Sequence, residues 1–384
     1  MTAAVVAEQP GKLTVPQGEF VLRRYPEDAS LQAWDAADEF LLNHIHDTRF
    51  VRSDDRILLL NDAYGALALA LASHSPYSWN DSCLAQQGLR DNLLANGFPL
   101  EQVTVNTSID FPSAAVDCVL IKIPKTLAML EYQLYALRAV LNPGARVIAA
   151  GMARHIHSST LELFESILGP TTTTRAVKKS RVILTQLDHS LNEGQSEYPS
   201  SYELELDRSY QIVNHAGLFS RDRLDAGSRL LLENMAAGEQ YQRIVDLGCG
   251  NGVLGLVAAI MNPESTLLFC DESHMAIASA RANFESAFTS TREAEFRVGN
   301  CLQGVADDSR DLVLINPPFH LQHSIGDAIA WQMFKDARRV LVKGGELRIV
   351  GNRHLGYHAK IKKLFGNCAT IDTNKKFVVL KAIK

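Results

Sequence analysis

The tetrapeptide Asn316-Pro317-Pro318-Phe319 follows an apolar run, Asp311 to Ile315, that reads as a buried strand. Two prolines in series remove two N–H donors and fix φ, which leaves carbonyls facing a cleft with no competing donor. The Asn316 amide oxygen and the Pro317 carbonyl can then both accept from one amino group, while Phe319 offers a stacking face for a flat ring. That is a site for a planar NH2 group. An Asn-Pro-Pro turn serving geometry alone is the rival explanation, and a glycine loop upstream speaks against it.

The loop is Asp246-Leu-Gly-Cys-Gly-Asn-Gly252, set between the strand Arg243 to Leu247 and a helix, where an open α/β sheet puts its ligand. Gly248, Gly250 and Gly252 let the backbone approach a ligand closely. Asp246 stands just before the first glycine, where a pyrophosphate would be repelled and a cation welcomed. Methionine ammonium and sulfonium groups fit that field; a tight turn with no ligand is the alternative. Asp271, about 20 residues beyond the glycines at the end of the next strand, can accept both ribose hydroxyls or serve a helix N-terminus. Gly299-Asn300 ends the following strand with an amide suited to an adenine edge or to its own turn.

The elements that must position these residues form a doubly wound α/β unit. A hairpin of Tyr202 to Leu206 with Ser209 to Asn214 leads into a helix over about Leu224 to Met235, then the strand Arg243 to Leu247. Helix Gly252 to Met261, strand Thr266 to Cys270, helix Ser273 to Phe288 and strands Glu295 to Val298 and Asp311 to Ile315 follow. Helix Asp327 to Val340, strand Gly345 to Val350 and a hairpin of Cys368 to Asp372 with Lys376 to Ala382 complete it. The first half has the same alternation, and the polar stretch 188–201 reads as a linker between a domain over 18–187 and one over 202–384.

The halves also resemble each other: Ile57 to Leu69 lies over Ile244 to Leu256, and Val116 to Lys125 over Ser309 to Phe319 with VLIK against VLIN. The first copy has lost the chemistry. Leu59 replaces Asp246, Asn61 and Ala63 replace Gly248 and Gly250, and Lys122 and Lys125 replace Asn316 and Phe319. Two unrelated α/β domains sharing only strand periodicity are the alternative.

The chain's 384 residues, 46% of them hydrophobic, can bury a core without staples, and no apolar run approaches the roughly 18 residues that span a bilayer. The N-terminus lacks the basic start and apolar stretch of an export signal, so a cytoplasmic protein with no membrane partner is expected. Six scattered cysteines fit a reducing compartment, and neither they nor His44, His46, His155 and His157 have metal-ligand spacing, so no metal is expected. Cys249 reads as a packing residue. Net charge is -5, yet residues 335–384 carry 13 basic against three acidic residues, a local surface suited to a polyanion.

These segments resemble class I S-adenosylmethionine-dependent methyltransferases of the group that methylates exocyclic or amide nitrogens through an NPP-aromatic tetrapeptide. From about Leu22 to the last residue the chain looks like the large-subunit branch of the rRNA guanine-N2 methyltransferases of the RsmC/RlmG type, on segments such as LQAWDAADEFLL, HAGLFSRDRLDAGSRLLL, NPPFHLQH and NKKFVVLKA. The first 20 or so residues look dispensable. The resemblance implies two tandem Rossmann-like methyltransferase folds, the first degenerate and the second active, with S-adenosyl-L-methionine as cofactor and 23S rRNA, free or in an assembling particle, as partner. It implies that Asp246, Gly248, Gly250, Gly252, Asp271, Asn300 and Asn316 hold the cofactor and that Asn316, Pro317, Pro318 and Phe319 hold the target guanine. Phe219, with Ser220, Arg221 and Asp225, resembles the segment that closes over the cofactor; a helix cap at Asp225 is the other reading.

Given an RNA substrate, Lys360, Lys362 and Lys363 are candidate phosphate contacts, with Lys178, Lys179, Arg181, Lys122 and Lys125 on the first domain. Three alternatives stay open: a 16S rRNA substrate, an adenine or glutamine-amide acceptor, and an RNA-binding assembly protein whose methyltransferase fold is vestigial.

Overall fold

The computed structural model describes residues 11–25, 27, 31–191, 194–288, 292–318 and 323–384, the side chains of 323–325 excepted. The chain divides into two compact units, Met1–Glu197 and Tyr198–Lys384.

Unit 1 opens with a hairpin of β1 (Gly11–Val15) and β2 (Gly18–Leu22), followed by α1 (Ala36–Asp47), β3 (Ile57–Leu60), α2 (Ala66–Ala70), β4 (Tyr77–Asn80), α3 (Cys83–Ala95) and β5 (Thr104–Thr107). Then come β6 (Val116–Lys122), α4 (Leu127–Arg138), β7 (Leu141–Met152), α5 (Ser158–Ile167), β8 (Thr171–Thr173) and β9 (Ser180–Gln186). The sheet order is β5-β4-β3-β6-β7-β9-β8, with the first five strands parallel. The central strand β3 is ILLL with every residue buried, as expected where helices cover both faces of a sheet.

Unit 2 repeats this plan. After the hairpin β10 (Ser200–Glu205) and β11 (Ser209–Asn214) come α6 (Ala226–Glu233), β12 (Arg243–Leu247), α7 (Val253–Met261), β13 (Thr266–Asp271), α8 (His274–Phe288) and β14 (Ala294–Val298). They are followed by β15 (Arg310–Ile315), α9 (His323–Val340), β16 (Leu341–Asn352), α10 (Tyr357–Phe365), β17 (Ala369–Thr373) and β18 (Phe377–Ile383). The order β14-β13-β12-β15-β16-β18-β17 matches unit 1 strand for strand, and apolar clusters fill both faces of each sheet. Two tandem folds of one topology are what the sequence predicts.

Three expectations need correction. The first unit does not begin at 18: Leu13 and Val15 of β1 are buried in its core, so the opening segment has a packing role from Gly11 onward. Helix α6 is shorter than Leu224 to Met235, because Asp225 has extended backbone and caps it while Asn234 leaves helical geometry. Strand β16 runs to Asn352, two residues beyond Val350, because β18 pairs with it to Phe377. The basic run 354–363, for which a solvated helix face is the alternative to phosphate contact, does lie largely on a helix, α10, of which only Tyr357 and Ile361 are buried.

Candidate active site

Asn316 follows β15 at the carboxyl ends of the parallel strands. Its Nδ2 donates to Ser228 Oγ at 2.9 Å and, less closely, to Asp225 Oδ2 at 3.4 Å. Both acceptors belong to the first turn of α6, where Asp225 Oδ2 also accepts from Gly227 N and Ser228 N at 2.9 and 3.0 Å. With the nitrogen taken, Asn316 Oδ1 is left buried and, among the described residues, without a hydrogen-bond partner. A buried acceptor in that state costs free energy until a donor arrives. Pro317 is buried and Pro318 exposed, whereas Phe319 lies outside the described residues. Sequence reasoning missed Ser228; the signal was available, since it stands three residues after the helix-capping Asp225, on the same face of the first turn.

The glycine loop turns at the end of β12. Gly248, Gly250 and Gly252 have φ of +70°, +55° and +78°, and the loop is pinned by Gly248 N and Cys249 N donating to Cys270 O at 2.8 and 3.0 Å. A Cβ on Gly250 or on Gly299 would meet nothing within 4 Å. That open space is the cradle in which a ligand can approach bare backbone. Asp271 fixes the rim, its Oδ2 accepting from Gly250 N and its Oδ1 from Ser273 N, each at 3.0 Å. Asn300 follows Gly299, and its carbonyl accepts from Gln303 N at 3.0 Å.

Asp246 is wholly buried. Its Oδ2 accepts from Gly255 N of α7 at 2.8 Å while Oδ1 has no partner, and burial pushes its carboxyl up to about 8, with Asp271 adding to the rise. Cys249 is buried and its thiol is raised well above the usual range, chiefly by burial, which makes it a packing residue. Phe219 is 60% exposed. In its loop, Ser220 (φ +55°) donates to Arg223 O at 2.8 Å, and the Arg221 guanidinium lies 5.5 Å from the centre of the Tyr198 ring. Asp246, the glycines, Asp271, Asn300 and Asn316 thus stand at one end of four adjacent strands.

Unit 1 shows what was lost. By strand register Lys122 takes the place of Asn316, and its Nζ reaches Asp35 at 2.7 Å and Asp38 at 2.8 Å. Those two carboxylates are the cap and third residue of α1, as Asp225 and Ser228 are of α6. Burial alone would lower the Lys122 ammonium's pKa, yet Asp38 and Asp35 together hold it above its usual value. Asn61 replaces Gly248 with φ +62°, and its amide pairs with Gln133 in both directions at 2.9 and 2.8 Å. Asp62 Oδ2 accepts from Ala68 N at 2.8 Å, so a carboxylate still caps this helix from a shifted position. Asn80 and Ile109 stand where Asp271 and Asn300 stand in unit 2.

The expected phosphate contacts are unevenly placed. Lys360 is held by Asp327 at 2.8 Å and Lys178 by Glu39 at 2.9 Å. Lys122 is sealed as described, Arg181 is partly buried with an unpartnered Nε, and Lys125, Lys179, Lys362 and Lys363 are exposed.

Comparison with known proteins agrees across the chain. Residues 11–189 match the RLMG N-terminal domain family and residues 209–381 the methyltransferase small domain family. The ribosomal RNA large subunit methyltransferase G of Streptomyces coelicolor is 47% identical over 378 residues, covering 97% of this chain and 100% of that protein. Its counterpart in Klebsiella pneumoniae (strain 342) is 49% identical over 372 residues, covering 95% and 96%. A solved structure, the T. thermophilus 16S rRNA N2 G1207 methyltransferase (RsmC) in complex with AdoMet and guanosine, superposes with a TM-score of 0.75 over 97% of each chain. At 20% identity that likeness shows the fold.

Proposed function

This chain belongs to the ribosomal RNA large subunit methyltransferase G family, and we propose that it methylates the exocyclic N2 of one guanine in 23S rRNA, giving N2-methylguanosine, with S-adenosylmethionine as methyl donor. The observation that carries the assignment to an amino group is the buried Asn316 Oδ1, an acceptor with no donor among the described residues, next in sequence to Pro317.

Guanine N2 is a poor nucleophile because its lone pair is delocalised into the ring. Asn316 Oδ1 and the Pro317 carbonyl, by accepting both amino hydrogens, favour a tetrahedral nitrogen with a localised lone pair. Bound S-adenosylmethionine supplies an electrophilic methyl group on a sulfonium. The residues present fit that cofactor: open backbone at Gly250 and Gly299, a carboxylate at Asp271 for the ribose, Asn300 for the adenine edge, and the Asp246 Oδ1 lone pairs for a cationic end. Asn316 and Pro317 contribute alignment. No strong base is needed, since nitrogen becomes cationic as it is methylated and its proton then leaves to water.

A cytoplasmic location is part of this reading, supported by an rRNA substrate and six free cysteines; among the described residues no helix is long and apolar enough to cross a membrane. The test incubates the protein and S-adenosylmethionine with unmodified 23S and 16S rRNA and analyses nucleosides by mass. N2-methylguanosine in 23S rRNA is expected. Methylation of 16S rRNA alone, of another atom, or of neither RNA would overturn the proposal.

A further inference from the structure

The region 335–384 holds five of its 13 cations in ion pairs. Arg339, Arg348, Lys360, Lys381 and Lys384 are bound to Asp307 and Asp336, Glu346, Asp327, Glu346 and Asp308 respectively. The other eight are exposed and, among the described residues, have no carboxylate within ion-pair distance; three of them, Arg353, Lys375 and Lys376, lie together at one end of the sheet. We propose that the RNA lands on this strip, at the end of β16 and the turn between β17 and β18, with the three cations on backbone phosphates and Asn352 Oδ1 accepting from an N–H or O–H of the target nucleotide. The inference rests on the rRNA methyltransferase reading and deepens it.

Strand register puts the strip beside the reacting group. Ile315 pairs with Ile349, and β16 continues through Val350 and Gly351 to Asn352, so Arg353 rises from the same end of the sheet as Asn316. β18 starts there because it runs antiparallel, with Asn352 opposite Phe377 and Arg353 N donating to Lys376 O at 3.0 Å. The turn is stiff: Asn374 Oδ1 accepts from Lys376 N at 2.9 Å and Phe377 N at 2.8 Å. The cations are therefore presented on a fixed backbone.

Asn352 supplies an independent observation. It is only 8% exposed, and its Oδ1 has no partner among the described residues. Side chains alternate along a strand, so Asn352 shares a face with Val350, which packs with Leu230 and Leu231 of α6. Leu314 joins the same cluster, and Asn316 follows it in phase. Two buried, unsatisfied acceptors thus stand on one face of adjacent strands, roughly 8 Å apart by strand spacing and rise, a separation within one nucleotide. Lys362 and Lys363 are placed otherwise. Helix α10 descends to Gly366, next to Asn367, whose side chain bonds Ile383, the partner of Glu346; that is toward the opposite edge of the sheet.

The test uses the full-length protein and an unmodified 23S rRNA transcript at several salt concentrations. The triple variant Arg353→Ala, Lys375→Ala, Lys376→Ala should lower the salt slope of RNA binding by about two units and weaken binding at least about tenfold, with cofactor affinity unchanged. A triple variant at Lys360, Lys362 and Lys363 should keep the original slope. An unchanged slope in the first variant, or an equal loss in the second, would overturn the landing surface. Asn352→Ala should reduce methyl transfer about tenfold or more while cofactor affinity, the check on folding, is kept; Asn352→Asp, which retains an acceptor, should recover part of it. On a transcript made with 2′-deoxyguanosine, a variant no worse than the unaltered protein identifies the ribose hydroxyl as donor, and an additional loss identifies a base N–H. Transfer by Asn352→Ala at the original rate on every transcript would remove Asn352 from the site. Absence of transfer by the unaltered protein, with the slope difference intact, would instead overturn the methylation reading.

Discussion

In the proposed reaction, Ser228 and Asp225 set which end of the Asn316 amide is offered to the substrate. An asparagine side chain is nearly symmetric in shape, and only its partners distinguish oxygen from nitrogen. By taking Nδ2, the first turn of α6 leaves Oδ1 for an amino group; the reverse orientation would present donors to a donor. Ser228→Ala removes the closer of the two anchors. Its turnover should fall about tenfold with little change in RNA or cofactor affinity, and Ser228→Thr, which keeps the hydroxyl, should restore most of it. Steady-state kinetics check this, and a Ser228→Ala enzyme with full turnover would show that Asp225 alone suffices. The same positions in unit 1, Asp35 and Asp38, grip the Lys122 ammonium instead. Two differences, Lys122 for Asn316 at the strand end and Asp38 for Ser228 on the helix, put a closed ion pair where unit 2 has an open acceptor.

The glycine loop shows how an element can keep its shape and lose its use. Both copies turn through left-handed residues, Gly248 in one and Asn61 in the other, and asparagine tolerates that conformation. Both cap the following helix with a carboxylate, but the carboxyl of Asp246 is raised further by burial, to about 8, than that of Asp62, raised to about 6. An unfolded aspartate titrates near 4. The folded state therefore holds the Asp246 proton more tightly; stability is fully present below about pH 4 and is lost as pH rises toward 8. Asp246→Asn mimics the neutral acid, so it should gain stability over the unaltered protein between pH 5.5 and pH 8, by at most about 3 kcal/mol, while binding cofactor more weakly. Urea midpoints of both proteins at the two pH values test this; an identical difference at each would contradict it. The buried strands were legible in sequence because runs such as ILLL and RIVDL have no other home than a covered sheet. The β1 strand was not, since GKLTV alternates too briefly, nor was the length of β16, which is set by pairing with β18. Asn316 and the glycines could be read because their chemistry is local. Ser228 and Asn352 act through neighbours distant in sequence, and register had to be known first.

At the scale of the whole chain, two copies of one topology are present, and the proposed function assigns the working site to unit 2. Unit 1 has the Asn61–Gln133 pair and the Lys122 ion pairs at the corresponding strand ends, and Ala63 where Gly250 leaves open backbone in unit 2. Calorimetry of the full-length protein should titrate one S-adenosylmethionine per chain, and Asp271→Ala should abolish that site without exposing another. A stoichiometry of two would show unit 1 to be a binding domain still. The duplication then leaves chemistry to one strand end, and the most direct measurement is single-turnover methyl transfer to 23S rRNA by Asn316→Ala beside its cofactor affinity. Loss of one preorganised acceptor should slow transfer about a hundredfold or more, with the dissociation constant for S-adenosylmethionine within about twofold of the original. Transfer at the original rate, or loss of cofactor binding in its place, would contradict the role assigned to the Asn316 amide oxygen.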